Sequence, residues 1–325
     1  MARLLTEADV RRILTMPMAL ESVEESFRRL ADGRAILHPR LRLLMPTRSY
    51  MHYMAAADLE AGYCGLKIYT SVRGGALRFV VALFQAETGA LVALLEADYL
   101  GQLRTGAASG VATRLMARTD ARTCGILGTG GQARTQLDAV AAVRRLEEVR
   151  AFSRNTERRT AFCREMSIRT GLRVVGVSRA EEAVRDMDIV ITATTSAKPV
   201  LFGDWLSPQA HINAIGANFY EKQELDEDAV RRCGIIVVDS RDQARLEAGD
   251  LISALGEDPG AWSAVRELSD VVSGKLAGRT HDRQVTLFKS NGVAIEDITV
   301  AARVYEEAVK QGIGQHLPFA EVQHQ

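Results

Sequence analysis

Several features that mark whole protein classes are missing from this 325-residue sequence. Its four cysteines (Cys64, Cys124, Cys163 and Cys233) stand far apart with no Cys-x-x-Cys pair. That excludes the usual zinc ribbon or disulfide framework and leaves them as small, reduced hydrophobes. The six histidines are scattered, with no His-x-x-x-His pair, so no metal site is expected. Forty-one basic residues meet forty-one acidic ones. A nucleic-acid partner, which favours a basic excess, is not expected either. No apolar run approaches the roughly 20 residues needed to cross a bilayer. The opening Met1-Ala2-Arg3-Leu4-Leu5-Thr6-Glu7 turns polar at once and lacks the core of a secretory signal. A cytoplasmic protein without a membrane partner is the expectation. No internal repeat and no low-complexity linker interrupts the chain.

What is present is ordinary globular composition, 47% hydrophobic and 25% charged, over a length that suits two domains. Residues 121–290 alternate short apolar, β-branched runs with helical stretches, the form of βαβ units building a parallel sheet. The runs are Thr123–Gly128, Glu148–Ser153, Arg173–Val177, Asp188–Thr194, His211–Ile215 and Ile235–Asp239. Ala133, Leu137, Val140 and Ala141 recur at helical spacing after the first. Ser178-Arg179-Ala180-Glu181 reads as a capping box opening a short helix. The first 120 residues differ. Helical patterns at 6–15 and 17–31 precede extended segments at 40–46, 50–57 and 63–70. A hairpin joins Phe79–Phe84 to Ala90–Leu95 through Glu87-Thr88-Gly89, and a helix follows from Tyr99 to Met116. Ile298, Ala301, Ala302, Tyr305 and Val309 place a further helix at Ile295–Gln311, which is expected to rejoin the N-terminal domain. The fold class expected is α/β: a doubly wound Rossmann sheet over 119–292, with a second α+β domain for substrate and dimerisation from 1–118 and 293–325.

Gly128-Thr129-Gly130-Gly131-Gln132-Ala133 leaves the first strand and opens a helix. Such a turn lets backbone N–H groups at a helix N-terminus face a pyrophosphate; glycine permits the bend and the close approach, and a small third residue lets helix and strand pack. The pattern alone is weak, but the strand before it, the helix after it and the second strand beyond make it a dinucleotide site. That second strand ends in Ser153-Arg154-Asn155, with no acid to hold the ribose hydroxyls. Serine and arginine suit a 2′-phosphate. NADP(H) is therefore expected over NAD(H), with Ser153 and Arg154 as receptors and Arg158 in support; NAD(H) stays open, since Arg154 could be a solvated loop charge. Thr194, Thr195 and Ser196 end the fourth strand, at the edge where ligands sit in such sheets.

These pieces resemble the ornithine cyclodeaminase/mu-crystallin family, over nearly the whole chain. The blocks that carry the likeness are Lys67, Arg104-Thr105-Gly106-Ala107-Ala108-Ser109, the glycine turn, Thr194-Thr195-Ser196, Val238-Asp239-Ser240, and Phe288-Lys289-Ser290-Asn291-Gly292 followed by Glu296-Asp297. The resemblance implies a homodimer, and hydride transfer between the nicotinamide and C2 of an α-amino or α-imino acid. It makes Arg104 the clamp for the substrate carboxylate, because its planar fork can give two hydrogen bonds. It makes Lys67 a second carboxylate ligand or the proton donor to the imine nitrogen. Without it, a strand lysine is ordinarily solvated and a helix arginine ordinarily a surface residue. A further family arginine falls at Arg42, with Arg40 the alternative. Ser290, Asn291 and Gly292 are expected beside the nicotinamide, Gly292 allowing close approach.

The sequence departs from the cyclodeaminases at Gly216-Ala217-Asn218-Phe219-Tyr220, where Asn218 replaces an aspartate. An amide cannot take up a proton, which argues against ornithine cyclisation. Arg78 either meets a second substrate carboxylate or faces solvent. Tyr53, Met54, Phe79, Phe219 and Tyr220 line the pocket or belong to the core. The leading expectation is an NADP(H)-dependent ketimine reductase or amino-acid dehydrogenase. Rivals are a cyclodeaminase recycling NAD and a ligand-binding protein of the mu-crystallin kind.

Overall fold

A computed structural model describes residues 2–47, 49–72, 75 and 77–318. The chain divides into two compact units, residues 1–104 with 292–325 and residues 105–291. The first division falls between Arg104 and Thr105, inside the helix Asp98–Met116, whereas the sequence placed it after 118.

The first unit is built on an eight-stranded sheet. Its order is Gln315–His316, Arg3–Leu5, Leu91–Glu96, Phe79–Gln85, Tyr63–Ser71, Tyr50–Asp58 and Ala35–Leu37, with Leu41–Leu44 also paired to Tyr50–Asp58. Every pairing is antiparallel except Arg3–Leu5 with Leu91–Glu96. Such strands put alternate residues on opposite faces. Along Tyr50–Asp58, His52, Met54, Ala56 and Asp58 are buried, while Tyr53 and Ala55 are exposed. Gly65 and Lys67 continue the inner face, and so do Val81 and Leu83. The helix Ala294–Gln311 lies on four of these strands and packs against the helix Met16–Ala31. Its inner side is Ile298, Ala301, Ala302, Val304 and Ala308; Val309, read as part of that stripe, is exposed. The helix Glu7–Ile13 starts at a capping box, with Thr6 and Asp9 each accepting from the other's backbone N–H.

The second unit holds eight strands, every pairing parallel. They run Val174–Gly176, Glu148–Phe152, Thr123–Leu127, Ile189–Thr192, His211–Ala214, Val285–Lys289, Cys233–Val238 and Arg266–Glu267. The central ones are buried almost throughout, as strands covered on both faces must be. Val285–Lys289 was not read from the sequence as a strand, yet it joins His211–Ala214 to Cys233–Val238. The capping box read at 178–181 also differs. Ser178 donates to Glu182 rather than Glu181, and only a 3-10 turn, Glu181–Ala183, forms. Strand order reverses between Thr123–Leu127 and Ile189–Thr192, and in open α/β sheets the crevice at the carboxyl ends of such a pair takes the ligand.

Candidate active site

The glycine turn leaves Thr123–Leu127 at that switch point. Gly128 has φ +110°, and a Cβ there would stand 2.3 Å from the carbonyl oxygen of Ala193, so neither conformation nor space admits a side chain. Gly130 caps the helix Gly131–Val143, and a Cβ on it would meet nothing within 4 Å. Its outer side is open space at a helix N-terminus, which is what a pyrophosphate requires. Ala133 is fully buried between this helix and its strand, while Gln132 and Gly131 begin the first turn. The residues fit a dinucleotide. The same helix explains Arg104-Thr105-Gly106. Gln136 donates to the carbonyl of Thr105 at 3.1 Å, and a Cβ on Gly106 would lie 2.5 Å from the carbonyl oxygen of Thr135. Only glycine lets the two helices come this close.

At the end of Glu148–Phe152, Thr129 Oγ1 donates to Ser153 Oγ at 3.0 Å, and Ser153 Oγ donates to the carbonyl of Asn155. Asn155 caps the helix Thr156–Thr170 through the N–H of Arg158. Arg154 and Arg158 are exposed, and neither side chain has an ion-pair or hydrogen-bond partner among the described residues. Arg159 was missed by the sequence reading. Its guanidinium donates to the carbonyl of Ser153 at 2.7 Å and lies over the Phe152 ring, bracing this strand end.

Thr194 and Ser196 form a tight turn, Ser196 N donating to Thr194 Oγ1 at 3.1 Å, with Thr195 exposed between them. Asn218 and Tyr220 are exposed, and Phe219 stacks on Tyr220. Ser290 is nearly fully buried, and its hydroxyl donates to Asp239 Oδ2, which also accepts the N–H of Asn291 at 2.7 Å. Its hydroxyl is thus engaged with Asp239, a contact that sequence reasoning did not assign.

In the first unit, charged groups far apart in sequence meet on the inner sheet face. Lys67 Nζ donates to Asp297 Oδ1 at 2.8 Å, and Arg104 Nε donates to the same oxygen at 3.0 Å. Arg104 Nη1 donates to Glu296 Oε2 at 2.6 Å. All four side chains are buried. Burial, and then the neighbouring Arg104 charge, bring the Lys67 ammonium down to about 8 against the pull of Asp297. The Phe79 ring lies 5.0 Å from Nζ.

Arg40, not Arg42, is the more deeply buried of the two candidate arginines, and its Nη2 donates to the carbonyl of Gly292 at 3.1 Å. Arg42 is half-buried and faces His52 in register. Burial and then the charges of Arg42 and Arg40 hold that imidazole down to about 4, so it is neutral at physiological pH. Gly292 lies in the first unit. It has φ +75°, and a Cβ on it would stand 2.6 Å from Arg104 Nη1. The close approach it permits is that of a guanidinium. Among the described residues three cations (Arg40, Lys67 and Arg104) sit with two carboxylates, a set that suits an anion. Arg78 faces solvent, its side chain 78% exposed. Met54 is core and Tyr53 lies on the outer face.

Glu296 and Asp297 were quoted in the sequence pattern but given no role. A possible signal was two adjacent acids at the start of an apolar helix. Among known proteins, the chain is 38% identical over 284 residues to Δ1-pyrroline-2-carboxylate reductase of Bacillus cereus, covering 85% of this chain and 84% of the relative. The solved structure of Thermococcus litoralis Δ1-pyrroline-2-carboxylate reductase in complex with NADH and L-proline superposes with a TM-score of 0.92 at 35% identity, over 97% of this chain and all of that one. An archaeal alanine dehydrogenase dimer with bound NAD gives 0.92 at 34%, over 98% and 99%. A model of the ornithine cyclodeaminase/mu-crystallin family matches residues 2–312, and the chain belongs to that family.

Proposed function

We propose that this protein is an NADP(H)-dependent oxidoreductase that interconverts an α-imino acid, most simply a cyclic ketimine such as pyrroline-2-carboxylate, and the matching α-amino acid. The observation that carries this reading is the pair Lys67 and Arg104 converging on one buried oxygen of Asp297. Arg104 and Lys67 hold the substrate carboxylate, with Arg40 adding charge. Reduction adds a hydride at C2 and a proton at nitrogen. The chemistry a nicotinamide supplies when bound is that hydride. Lys67, brought down to about 8, supplies the proton, since an acid works best with a pKa near the operating pH. Asp297 keeps both cations aimed, and Asn218, which cannot ionise, leaves ammonia loss without a base.

The Gly128–Ala133 turn receives the pyrophosphate, with Thr194, Thr195 and Ser196 beside it. Arg154 and Arg158, both unspent at the surface, favour the 2′-phosphate of NADP(H). The relatives whose structures carry NADH and NAD make this preference the point to measure. A homodimer is supported by the outer face of the first sheet, where Leu41, Tyr53, Ile68 and Val80 align in register across four strands and three of them are exposed. Tyr53→Glu should turn the dimer into a monomer in sedimentation.

Absorbance at 340 nm tests the activity, using cyclic and linear imino acids with NADPH and with NADH. Consumption with one cyclic imine, faster with NADPH, is the result expected. Ammonia release from ornithine or lysine without net cofactor consumption would replace it with cyclodeamination.

A further inference from the structure

Behind the carboxyl edge of the parallel sheet lies a group of buried charges that the proposed chemistry does not use. Glu224 is fully buried. Its Oε1 accepts the N–H of Thr194 at 2.6 Å, and its Oε2 accepts the N–H of Gly216 at 2.6 Å and the hydroxyl of Thr192 at 2.9 Å. Backbone N–H groups cannot reverse, so this pattern calls for a carboxylate with both oxygens accepting. Burial pushes its pKa up; the Lys289 charge pulls the other way. Lys289, also fully buried, ends the strand Val285–Lys289. Its Nζ donates to the carbonyl of Ala217 at 2.5 Å and lies 3.0 Å from Asp250 Oδ2. Asp250 Oδ1 in turn accepts the N–H groups of Glu224 and Leu225, at 2.6 and 3.0 Å.

These bonds have a common target. They hold both ends of the segment 216–224, at Gly216 and Ala217 and again at Glu224 and Leu225. The segment is tightly seated: a Cβ on Gly216 would lie 2.1 Å from the carbonyl oxygen of Thr194, and one on Gly249 would lie 2.1 Å from that of Lys222. Between the held ends, Asn218 and Tyr220 are exposed. The opposite anchor point, Thr194, lies next to the glycine turn, since a Cβ on Gly128 would meet Ala193 at 2.3 Å and Thr194 at 3.3 Å. One carboxylate thus connects the segment carrying Asn218 to the strand end that abuts the cofactor turn.

We infer that Glu224, supported by Lys289 and Asp250, is a positioning residue that fixes Asn218 and its neighbours against Thr194, and so holds that segment in place beside the cofactor turn. The inference rests on the imine reductase reading for its kinetic consequence but not for its structural one. Glu224→Gln keeps the shape and puts an NH2 group against a backbone N–H. Hydrogen exchange on the free protein should then show the Thr194 or Gly216 amide opening about ten- to a hundredfold faster, as expected for loss of a charged acceptor. NADPH or NADH affinity, read by cofactor fluorescence, should change less than about threefold, because the glycine turn is untouched. On an active substrate, kcat should fall about ten- to a hundredfold, the cost of a misplacement near 1 Å. Lys289→Met paired with Asp250→Asn should show the same split, because it removes both supports and leaves the Glu224 carboxylate to its N–H and hydroxyl donors. Unchanged exchange at both amides would overturn the inference whether or not any imine is reduced. So would wild-type kcat in a variant whose only defect is a lower Tm. Faster exchange in a protein that reduces no imine would instead remove the proposed reaction and keep the anchor.

Discussion

Lys289 and Lys67 are both buried lysines at strand positions, and they sit in opposite kinds of company. Lys289 is fully buried in the second unit, its ammonium between the carbonyl of Ala217 and Asp250. Asp250 and Glu224 are engaged in turn by backbone N–H groups. That network is directed at the chain itself. Lys67 in the first unit shares one carboxylate oxygen with Arg104, and Arg40 adds a further positive charge nearby. The negative surplus of Glu224 and Asp250 is taken up by backbone N–H groups, whereas a positive surplus in a buried group costs free energy that a bound anion would recover. The first kind of cluster fixes backbone; the second is the one to which the proposed function assigns the substrate carboxylate.

The largest effect that would break this comparison is expected at Arg104 and Lys67. Arg104→Ala or Lys67→Ala should lower kcat/KM about a thousandfold, roughly 4 kcal/mol of transition-state stabilisation. Arg104→Ala takes a charged donor from both Glu296 and Asp297 and should also lose about 3–5 kcal/mol of stability, whereas Lys67→Ala should lose less, since Asp297 keeps Arg104. Arg104→Lys separates the two effects: it keeps the charge and loses the fork, so the fold should recover more than the rate. Steady-state kinetics beside a denaturant titration would decide it, and activity within about twofold of wild type would remove both residues from the site.

The two glycines sharpen the contrast. Gly128→Ala drives a Cβ into the backbone of Ala193, and Gly292→Ala drives one into the Arg104 guanidinium. Both sit at positive φ, so both should destabilise. The first should weaken cofactor binding about a hundredfold, read by fluorescence titration. The second should leave that affinity near wild type and lower kcat/KM for the imino acid instead. Loss of cofactor binding in Gly292→Ala would instead support the place beside the nicotinamide that the sequence suggested for it.

That difference shows what the sequence could and could not display. The parallel sheet was legible because strands covered on both faces are continuously apolar and a glycine turn is a local pattern. The strand Val285–Lys289 escaped because a lysine at its end looks like a solvated boundary, and nothing local says that Ala217 and Asp250 will meet it. Glu224 escaped for the same reason, since a buried acid and a surface acid are the same letter. In the first unit the resemblance supplied Lys67 and Arg104, while their partners Glu296 and Asp297 lie almost two hundred or more positions away. Only register and packing bring them together. Between Arg42, which the sequence favoured, and its alternative Arg40, the deeper burial of Arg40 was not legible, because alternation along an extended segment gives a face and not a depth.

A smaller effect is expected at the second strand's end, where the exposed Arg154 and Arg158 have no ion-pair partner among the described residues. Arg154→Ser with Arg158→Ser should raise the KM for NADPH about thirtyfold and leave that for NADH nearly unchanged, since only the 2′-phosphate loses partners. Equal changes for both cofactors, or none, would place the phosphate elsewhere.

The smallest separates the units by pH. Lys67 titrates at about 8, whereas His211, fully buried in the second unit, is held down to about 3 by burial and then by the Arg279 charge. Between pH 6 and 9 the change should therefore arise on the substrate side. Imine reduction needs Lys67 protonated, so kcat/KM should be flat below about 8 and fall about tenfold by pH 9. Amine oxidation needs Lys67 neutral to take the proton, so its Lys67 limb should rise to about 8 and then level. Loss of folding would not imitate this. The folded pKa of Lys67 lies below the ordinary 10.5, so from about 8 to 10.5 the unfolded chain binds more protons and this residue makes stability rise with pH. A fall in reduction rate accompanied by a steady or rising Tm across that window, and absent from Lys67→Met, would tie the limb to the ammonium that shares Asp297 with Arg104.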